Sequence, residues 1–271
     1  MPEMGGLMHY NIGKAHQRII REKKEKEQGN KDPLFGDWWE KNHRKLDIKN
    51  AEIREITYQE AKPIILEYEW LGTMGTTKYH YGIFFNDECG GVVCYGYFQA
   101  PSGYKKYVGE NFAKKGLQLS RGACCFWAHP HSASKLISHS LTHIAQRGYK
   151  YVIAFSDPEA GEIGTVYQAT NWICFGDGDT GGNGHLYYKS NNKLFLDARD
   201  FYRKYGIASK RNALKEFVRR NPDFYFKMAK PKKRYIKLIG SHKENKTMMM
   251  VLKDYIEEYP KRAGQVSRGI H

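Results

Sequence analysis

Apolar and polar positions alternate along the chain with two different periods, most clearly between residues 117 and 172. Residues 117–127 and 151–155 are short apolar runs, which are typical of buried strands. Residues 135–147, between these runs, carry apolar side chains at the spacing of a helix, and residues 163–171 do the same after the second run. This stretch is therefore predicted to form strand, helix, strand and helix in turn. The apolar face of its first helix consists of Leu136, Ile137, Leu141, Ile144 and Ala145.

The flanking segments extend the pattern on both sides. Before it, the sequence predicts a strand in residues 47–58, a helix in 58–68 and a hairpin across 79–98. After it, short strands are predicted at 173–176 and 185–188. The order β-α-β-β-β-α-β-α-β is that of an acyltransferase domain of the GNAT type, which is a likeness of fold and not of function. We therefore predict an α/β protein with a GNAT-like mixed, mostly antiparallel sheet flanked by helices.

Charge divides the chain into three predicted parts. Residues 1–46 are polar and highly charged, which favours an exposed N-terminal arm, and a homodimer formed through this arm is left open. Residues 47–192 contain the predicted GNAT-like catalytic domain, and residues 193–271 form a basic C-terminal extension. Residues 189–243 alone contain 17 Lys and Arg against four Asp and Glu, which is most of the net charge of +15.

This basic region predicts a polyanionic partner, with nucleic acid ahead of a membrane surface. Aromatic residues are interleaved with the basic ones, which favours a folded surface that contacts DNA over a solvated tail, although both interpretations stay open. Such cations supply affinity and salt dependence rather than sequence choice. The predicted DNA-binding residues are Lys210, Arg211, Lys215, Arg219 and Arg220 on one basic helix, and Lys232, Lys233 and Arg234 in a second cluster.

Neither membrane insertion nor secretion is expected. No apolar run approaches the roughly 20 residues that a membrane helix needs, and the N-terminus lacks the basic-then-apolar order of a secretory signal. The five cysteines are odd in number, and two of them, Cys124 and Cys125, are adjacent. Because neither property suits a disulfide framework, a cytoplasmic location is predicted.

Several local strings resemble the phage Mom proteins, which are GNAT-related and modify DNA. They are WLGTMG, HYGIFF, the LSR strand and, most specifically, FSDPEAGEIGTVYQATNWICFG, and the resemblance covers about residues 61–238. It implies a phage-encoded, anti-restriction DNA hypermodification enzyme that converts adenine N6 in DNA into a carbamoylmethyl (acetamido) derivative inside a bacterial host. Carried over position by position, the functional residues of the family fall on His80, Tyr81, Arg121, Asp157 and Tyr167.

Arg121 with the turn at residues 129–134, and Asp157 with Tyr167, are expected at one cleft, at the carboxyl ends of the strands. Arg121 lies in an apolar strand, so it is predicted either to bind an anion or to form an internal ion pair, with Asp157 as the candidate partner. Ser132 and Ser134 begin the following helix and are predicted, with Arg121, to bind acetyl-CoA or another acyl donor. The turn contains a proline and no glycine, which departs from the usual phosphate loop of GNAT enzymes and weighs against an ordinary coenzyme A site.

The implied product sets a chemical requirement of its own. Attaching carbamoylmethyl makes an N–CH2 bond, whereas simple acyl transfer would leave a carbonyl on the nitrogen. A redox-capable metal is one route, and nitrogen and oxygen ligands suit non-haem iron. The hypothesis is that Tyr81 and Asp157 hold Fe(II), with His80 as a further ligand. The alternative is that Tyr81 is an ordinary sheet residue and that Asp157 caps the helix after it.

Tyr167 is predicted to hydrogen-bond a leaving group or to stack on the target base, which a DNA duplex would have to expose by flipping. Two functions remain open beside adenine modification. One is a GNAT-type acyltransferase that uses acyl-CoA and a protein or small-molecule acceptor. The other is a non-enzymatic DNA-binding protein on a GNAT scaffold.

Overall fold

The computed structural model describes residues 16–29, 46–98, 101–178, 183–229 and 231–261. The helices in these ranges are α1 (His16–Gly29), α2 (Tyr58–Tyr68), α3 (Lys105–Val108), α4 (Ser132–Gln146), α5 (Thr165–Ala169), α6 (Ala198–Tyr205), α7 (Arg211–Arg220) and α8 (His242–Leu252), beside short 3-10 turns. The strands are β1 (Glu52–Glu55), β2 (Tyr79–Phe85), β3 (Glu88–Gly96), β4 (Gly116–Cys124), β5 (Tyr151–Ser156), β6 (Ile173–Gly178), β7 (Gly184–Tyr188), β8 (Leu194–Leu196), β9 (Phe224–Met228) and β10 (Lys232–Leu238). None of these helices is long and apolar enough to cross a membrane.

Seven strands form the main sheet in the order β1-β2-β3-β4-β5-β10-β6. Neighbouring strands are antiparallel except β4 and β5, which are parallel. The predicted order β-α-β-β-β-α-β-α-β is confirmed from β1 to β6, with α3 and short 3-10 turns as the only additions among the described residues. The predicted fold class, a mixed and mostly antiparallel sheet flanked by helices, is confirmed as well.

Helix α2 has the bounds that the sequence predicts because its start carries a strong local signal. The Thr57 hydroxyl accepts a hydrogen bond from the Glu60 N–H at 3.2 Å, and the Glu60 carboxylate accepts one from the Thr57 N–H at 2.6 Å. This reciprocal pair satisfies two of the N–H groups that a helix start leaves without partners. The helix then buries Ala61, Ile65 and Tyr68 against the sheet.

The β2–β3 hairpin has a tighter turn than the predicted three residues 86–88. Glu88 already belongs to β3, so only Asn86 and Asp87 form the turn, with φ of 49° and 68°. Asn and Asp tolerate this left-handed conformation, which two-residue hairpin turns require.

Helices cover both faces of the main sheet. Tyr81 of β2 stacks on His143 of α4, with ring centroids 5.7 Å apart. His80, the residue before it, contacts Tyr58 of α2 at 5.8 Å. Since successive strand residues point to opposite faces, α4 and α2 lie on opposite faces of the sheet.

The predicted boundary between residues 192 and 193 does not coincide with the end of the main fold. Strand β10 pairs with both β5 and β6, so it lies inside the main sheet and not in an appended extension. Residues 183–229 instead form a smaller unit, in which the three-stranded sheet β8-β7-β9 packs with α6 and α7. Its core contains Leu186, Phe201 and Leu214. The chain thus leaves the main sheet after β6, forms this unit and returns as β10.

Candidate active-site cleft

A cleft of about 910 Å³ opens where β4 and β5 separate. The two strands pair only through residues 116–118 and 151–153, although β4 continues to Cys124 and β5 to Ser156. On its other side, β4 shifts register against β3, so that Ser120 is an extra residue between the paired positions Leu119 and Arg121. A bulge of this kind bends and twists its strand, which accounts for the opening between β4 and β5.

Arg121 lines the cleft from β4, and oxygen atoms of the protein hold its guanidinium. Nε donates to the Thr73 carbonyl, Nη2 to the Thr73 hydroxyl at 3.2 Å, and Nη1 to the Ser120 carbonyl at 2.6 Å. Glu69, which follows α2, lies 3.9 Å from the guanidinium with 6% of its side chain exposed. The internal partner that the sequence left open is therefore Glu69 and not Asp157.

The loop after α2 is shaped around this guanidinium. Gly75 has a φ of +61°, and a Cβ at this position would lie 3.0 Å from Nη2 of Arg121. Burial raises the pKa of Glu69, and the positive charge of Arg121 opposes that rise. The WLGTMG string is thus the segment that wraps the half-buried Arg121 and its buried carboxylate partner.

Asp157 follows β5 directly and lines the cleft, as predicted for a residue at a strand end. Its carboxylate, which is 13% exposed, lies 3.1 Å from Nζ of Lys232. Glu162 lines the same cleft, and its backbone N–H donates to the Asp157 carbonyl at 3.0 Å. Burial raises the pKa of the Glu162 carboxyl to about 7, and the negative charges of Glu69 and Asp157 add to that rise.

Three of these residues were not identified as cleft residues from the sequence. Glu69 and Glu162 were not candidates, and Lys232 was assigned to a DNA-binding surface. Glu162 lies inside the DPEAGEIG string, which is the one signal that pointed towards it. Lys232 reaches the cleft because β10 is inserted beside β5, and this long-range pairing has no signature in the local pattern.

Tyr167 of α5 lines the cleft and packs against Trp172 and Tyr235, at centroid distances of 5.1 and 5.2 Å. Burial raises the pKa of its phenol. Gly164, just before α5, has a φ of +70°, and a Cβ there would lie 2.4 Å from the Tyr235 ring. The Tyr235 hydroxyl also donates to the Ile163 carbonyl at 2.6 Å. The segment that resembles Mom proteins most specifically therefore forms one wall of the cleft. Its packing against Tyr235 leaves no room for a side chain at residue 164.

His80 and Tyr81 are not among the residues that line this cleft. Tyr81 is 1% exposed and lies under α4. The ring of His80 points to the opposite face, where Nε2 lies 2.9 Å from the Thr77 hydroxyl. The structure thus brings Arg121, Asp157 and Tyr167 together in one cleft, whereas His80 and Tyr81 lie outside it.

The predicted iron site does not form, because Tyr81 and Asp157 belong to different parts of the sheet. Strands β3 and β4 lie between their strands, which separates the backbones by roughly 14 Å at the usual strand spacing. Across the described residues, no group of three or more His, Cys, Asp or Glu side chains is placed to hold a metal ion. The donor set that the hypothesis requires is therefore not assembled here.

The turn at residues 129–134 borders the cleft at the start of α4. Ser134 lines the cleft, whereas Ser132 is fully buried and does not. The backbone N–H groups of Ala133 and Ser134 have no hydrogen-bond partner within the described part of the chain. Amides of this kind, at the positive end of a helix, attract anions. The turn therefore offers two donors to an anionic group although it has no glycine.

Helix α1 was predicted as an exposed arm, but it lies against the cleft. Gln17 donates a hydrogen bond to the Gly122 carbonyl at 2.8 Å, and Arg21 donates one to the Phe126 carbonyl at 3.1 Å. These contacts are polar, so a search for apolar periodicity could not find them. Residues 1–15 and 30–45 of the predicted arm lie outside the described residues. The α1 side chains that line the cleft are Gln17, Arg18, Arg21, Glu22 and Glu25.

The basic helix predicted from the sequence is α7, and its cations lie at the surface. The Arg219 and Arg220 guanidinium groups both pair with Glu216, at 2.8 and 2.7 Å. All five predicted DNA-binding residues of this segment are exposed, namely Lys210, Arg211, Lys215, Arg219 and Arg220.

The second predicted basic cluster is divided by the structure. Lys232 lines the cleft, and Lys233 pairs with Glu257 at 3.2 Å. Arg234 packs its guanidinium between the rings of Tyr107 and Phe175, at 4.8 and 5.0 Å from their centroids. Successive strand residues face opposite sides, and β10 is irregular between Lys233 and Tyr235. The three consecutive cations on β10 therefore do not form one DNA-facing patch.

The open sheet and its charged cleft define an α/β protein with a candidate active site. Residues 50–261 match the Mom protein family, and the chain belongs to that family. This match extends at both ends beyond the resemblance at residues 61–238. Methylcarbamoylase mom of Escherichia phage Mu is 27% identical over 135 residues, which are 47% of this chain and 54% of that protein. The chain thus spans about half the length of this curated relative.

Solved structures similar to this chain include acetyltransferases. An IAA acetyltransferase from Bacillus cereus is 12% identical and covers 70% of this chain and 99% of its own, with a TM-score of 0.39. A GNAT family acetyltransferase from Elizabethkingia anophelis, with acetyl-CoA bound, is 11% identical and covers 70% and 98%, with a TM-score of 0.38. Nothing about substrate or donor follows from likenesses of this size.

Proposed function

We propose that this protein is a DNA-modifying transferase that adds a carbamoylmethyl group to N6 of adenine. The observation that carries the proposal is the meeting of Arg121, Asp157 and Tyr167 in one cleft of a Mom family chain. These are the family positions that fall inside the cleft, and the phage Mu relative is named a methylcarbamoylase.

The balanced charge of the cleft suits a neutral base, and the start of α4 is the part of the cleft that offers backbone donors to a phosphate. Four Lys and Arg side chains and five Asp and Glu side chains line it, so cations do not dominate. Adenine N6 is inaccessible inside a duplex, and enzymes that act on a base extrude it into a pocket. A volume of about 910 Å³ is near the upper end for small-molecule pockets and leaves room for a donor beside the base.

The cleft residues have distinct roles in this proposal. The Asp157 carboxylate, held by Lys232 at 3.1 Å, accepts a hydrogen bond from the exocyclic amine and orients N6. The Tyr167 ring supports the base from α5. Arg121 is a positioning residue, because its bonds to Thr73 and Ser120 fix the wall that carries Glu69.

An anionic donor such as an acyl-CoA-type carrier would be held at the start of α4. The amides of Ala133 and Ser134 and the Ser134 hydroxyl would receive its phosphate, favoured by the positive end of the helix. Acyl transfer alone would give an amide on N6, so the carrier would bear a leaving group on the CH2 carbon of the carbamoylmethyl group. N6 forms its bond to that carbon as the bond from the carbon to the leaving group breaks, and the N6 proton passes to the Asp157 carboxylate.

Mass spectrometry of nucleosides tests the proposal on plasmid DNA from cells that express the protein. We expect deoxyadenosine heavier by one carbamoylmethyl group in place of hydrogen. Asp157→Asn should abolish the product, whereas Asp200→Asn, at an exposed pair with Arg203 outside the cleft, should not. DNA that stays unmodified refutes the proposal. Stabilisation by acetyl-CoA without DNA binding would then favour acyl transfer to another acceptor, and DNA binding without a product would favour a binding protein.

A further inference from the structure

The two faces of the small sheet differ in composition. Side chains on one face of β7 and β9 pack into the core of the unit against α6 and α7, as Leu186 and Phe226 do. Because strand residues alternate, the neighbours of these residues point to the other face. None of those neighbours belongs to the core of the unit. They are His185 and Tyr187 on β7 and Tyr225 and Lys227 on β9.

The two tyrosines form a stacked pair on this second face. Tyr187 and Tyr225 are direct partners across β7 and β9, with ring centroids 5.4 Å apart and an interplanar angle of 22°. Nζ of Lys227 lies 5.1 Å from the Tyr187 centroid and 5.4 Å from the Tyr225 centroid. Both rings are half-buried and Lys227 is exposed. The face therefore presents two aromatic surfaces with a cation beside them.

The surrounding unit is strongly basic. Residues 183–229 contain eleven Lys and Arg against four Asp and Glu. Two of those acids, Glu216 and Asp200, are already paired with arginines of the same unit. The exposed Lys210, Arg211 and Lys215 have no acidic partner within the described residues. An extended anion that also carries flat apolar groups therefore complements this unit in charge and in shape.

We propose that the face formed by Tyr187, Tyr225 and Lys227 is a platform on which unpaired bases of DNA stack. Single-stranded nucleic acid combines a regularly charged backbone with a flat π-face on every residue, and aromatic side chains on sheets bind it by stacking. A duplex hides those π-faces in its own stack. The choice of DNA over RNA rests on the proposed function, whereas the preference for an unpaired strand rests on the aromatic face.

Fluorescence anisotropy with labelled oligodeoxythymidylate, single-stranded or in a duplex, tests the platform on the full chain. Tyr187→Leu and Tyr225→Leu keep the apolar bulk and remove the ring. Each should weaken single-strand binding by about five- to 150-fold, the range for loss of one base–aromatic stack. Tyr187→Phe and Tyr225→Phe should bind as the wild type does. Tyr202→Leu, at a 59% exposed tyrosine of α6, is the matched control and should have no effect.

The inference is overturned if the leucine variants bind the single strand as tightly as Tyr202→Leu does, or if duplex binding falls by the same factor. If one leucine variant does not fold, as judged by thermal melting, the other one decides, because the two rings belong to one stacked pair. The binding assay needs no modification chemistry. If the wild type binds single strands through these tyrosines but leaves adenine unmodified, the platform stands and the proposed function is refuted. If it modifies adenine but the leucine variants bind single strands normally, only the platform is refuted.

Discussion

Replacing Arg121 with methionine tests the internal ion pair that fixes one wall of the cleft. The Arg121 side chain is 13% exposed, and Glu69 at 3.9 Å is 6% exposed. Removing one partner of a buried pair leaves the other charge without compensation, which typically costs about 3–5 kcal/mol. The bonds from Arg121 to Thr73 and Ser120 are lost as well. We therefore expect the free energy of unfolding to fall by about 3 kcal/mol or more.

A double-mutant cycle separates the ion pair from those other bonds. Glu69→Gln keeps an acceptor for the Leu71 N–H, which donates to the Glu69 carboxylate at 2.8 Å. The variant with both Arg121→Met and Glu69→Gln no longer contains an unpaired buried charge. It should be more stable than the sum of the single changes implies, with a coupling of about 1–3 kcal/mol.

Urea unfolding followed by tryptophan fluorescence measures each free energy. Arg54→Met is the matched control, since Arg54 pairs with Glu52 at 3.5 Å on an exposed edge strand and should cost no more than about 1 kcal/mol. If the Arg121 and Glu69 effects add within about 0.5 kcal/mol, the two groups are independent and the reasoning fails.

Three further results are expected. The pKa of Glu162 is raised from 4.5 to about 7, so the folded state loses stability as pH rises through that window. Glu162→Gln should reduce the slope in melting temperature against pH, with Glu69, whose pKa is also raised, supplying the rest; an unchanged slope contradicts the assignment. Gly164→Ala should melt well below Gly148→Ala, because both glycines have positive φ but only residue 164 faces a ring within contact distance; equal melting temperatures would refute this. Arg21→Ala should speed limited proteolysis of α1, because Arg21 bonds the helix to the Phe126 carbonyl. Arg18→Ala should not, because Arg18 pairs with Glu22 within α1; equal rates for the two variants would contradict the packing of α1 against the cleft.

The sequence predicts the elements of this fold better than it predicts the composition of its cleft. Helix α2 and the apolar face of α4 follow from caps and periodicity, which are local. Arg121, Asp157 and Tyr167 were found through a resemblance, and the structure places all three in one cleft. His80 and Tyr81 were assigned together, but adjacent strand residues cannot face the same side.

What the sequence missed depends on contacts between distant segments. Lys232 enters the cleft through the pairing of β10 with β5, in which Lys233 lies opposite Ser156, a residue far away in the sequence. Helix α1 reaches the cleft through polar bonds, with Ile20 as its apolar contact to the core, so it carries no apolar stripe. Glu69 becomes notable only once Arg121 is seen beside it, because a single acid after a helix is ordinary in a sequence.

The distribution of charge assigns DNA affinity and chemistry to different parts of the chain, with affinity in the basic unit at residues 183–229 and chemistry in the cleft. Arg18, Arg21, Arg121 and Lys232 are outnumbered by carboxylates among the cleft-lining residues. A phosphate of the DNA backbone that entered the cleft away from the start of α4 would therefore meet about as much repulsion as attraction. The excess of cations lies elsewhere, with eleven Lys and Arg against four acids in residues 183–229. Since neutralised phosphates set the salt dependence of DNA binding, charge-removing changes in that unit should flatten the salt dependence and leave the cleft chemistry intact. Changes at Asp157 should abolish the cleft chemistry and leave the salt dependence of DNA binding unchanged. If Asp157→Asn changes the salt dependence instead, affinity and chemistry are not separated in this way.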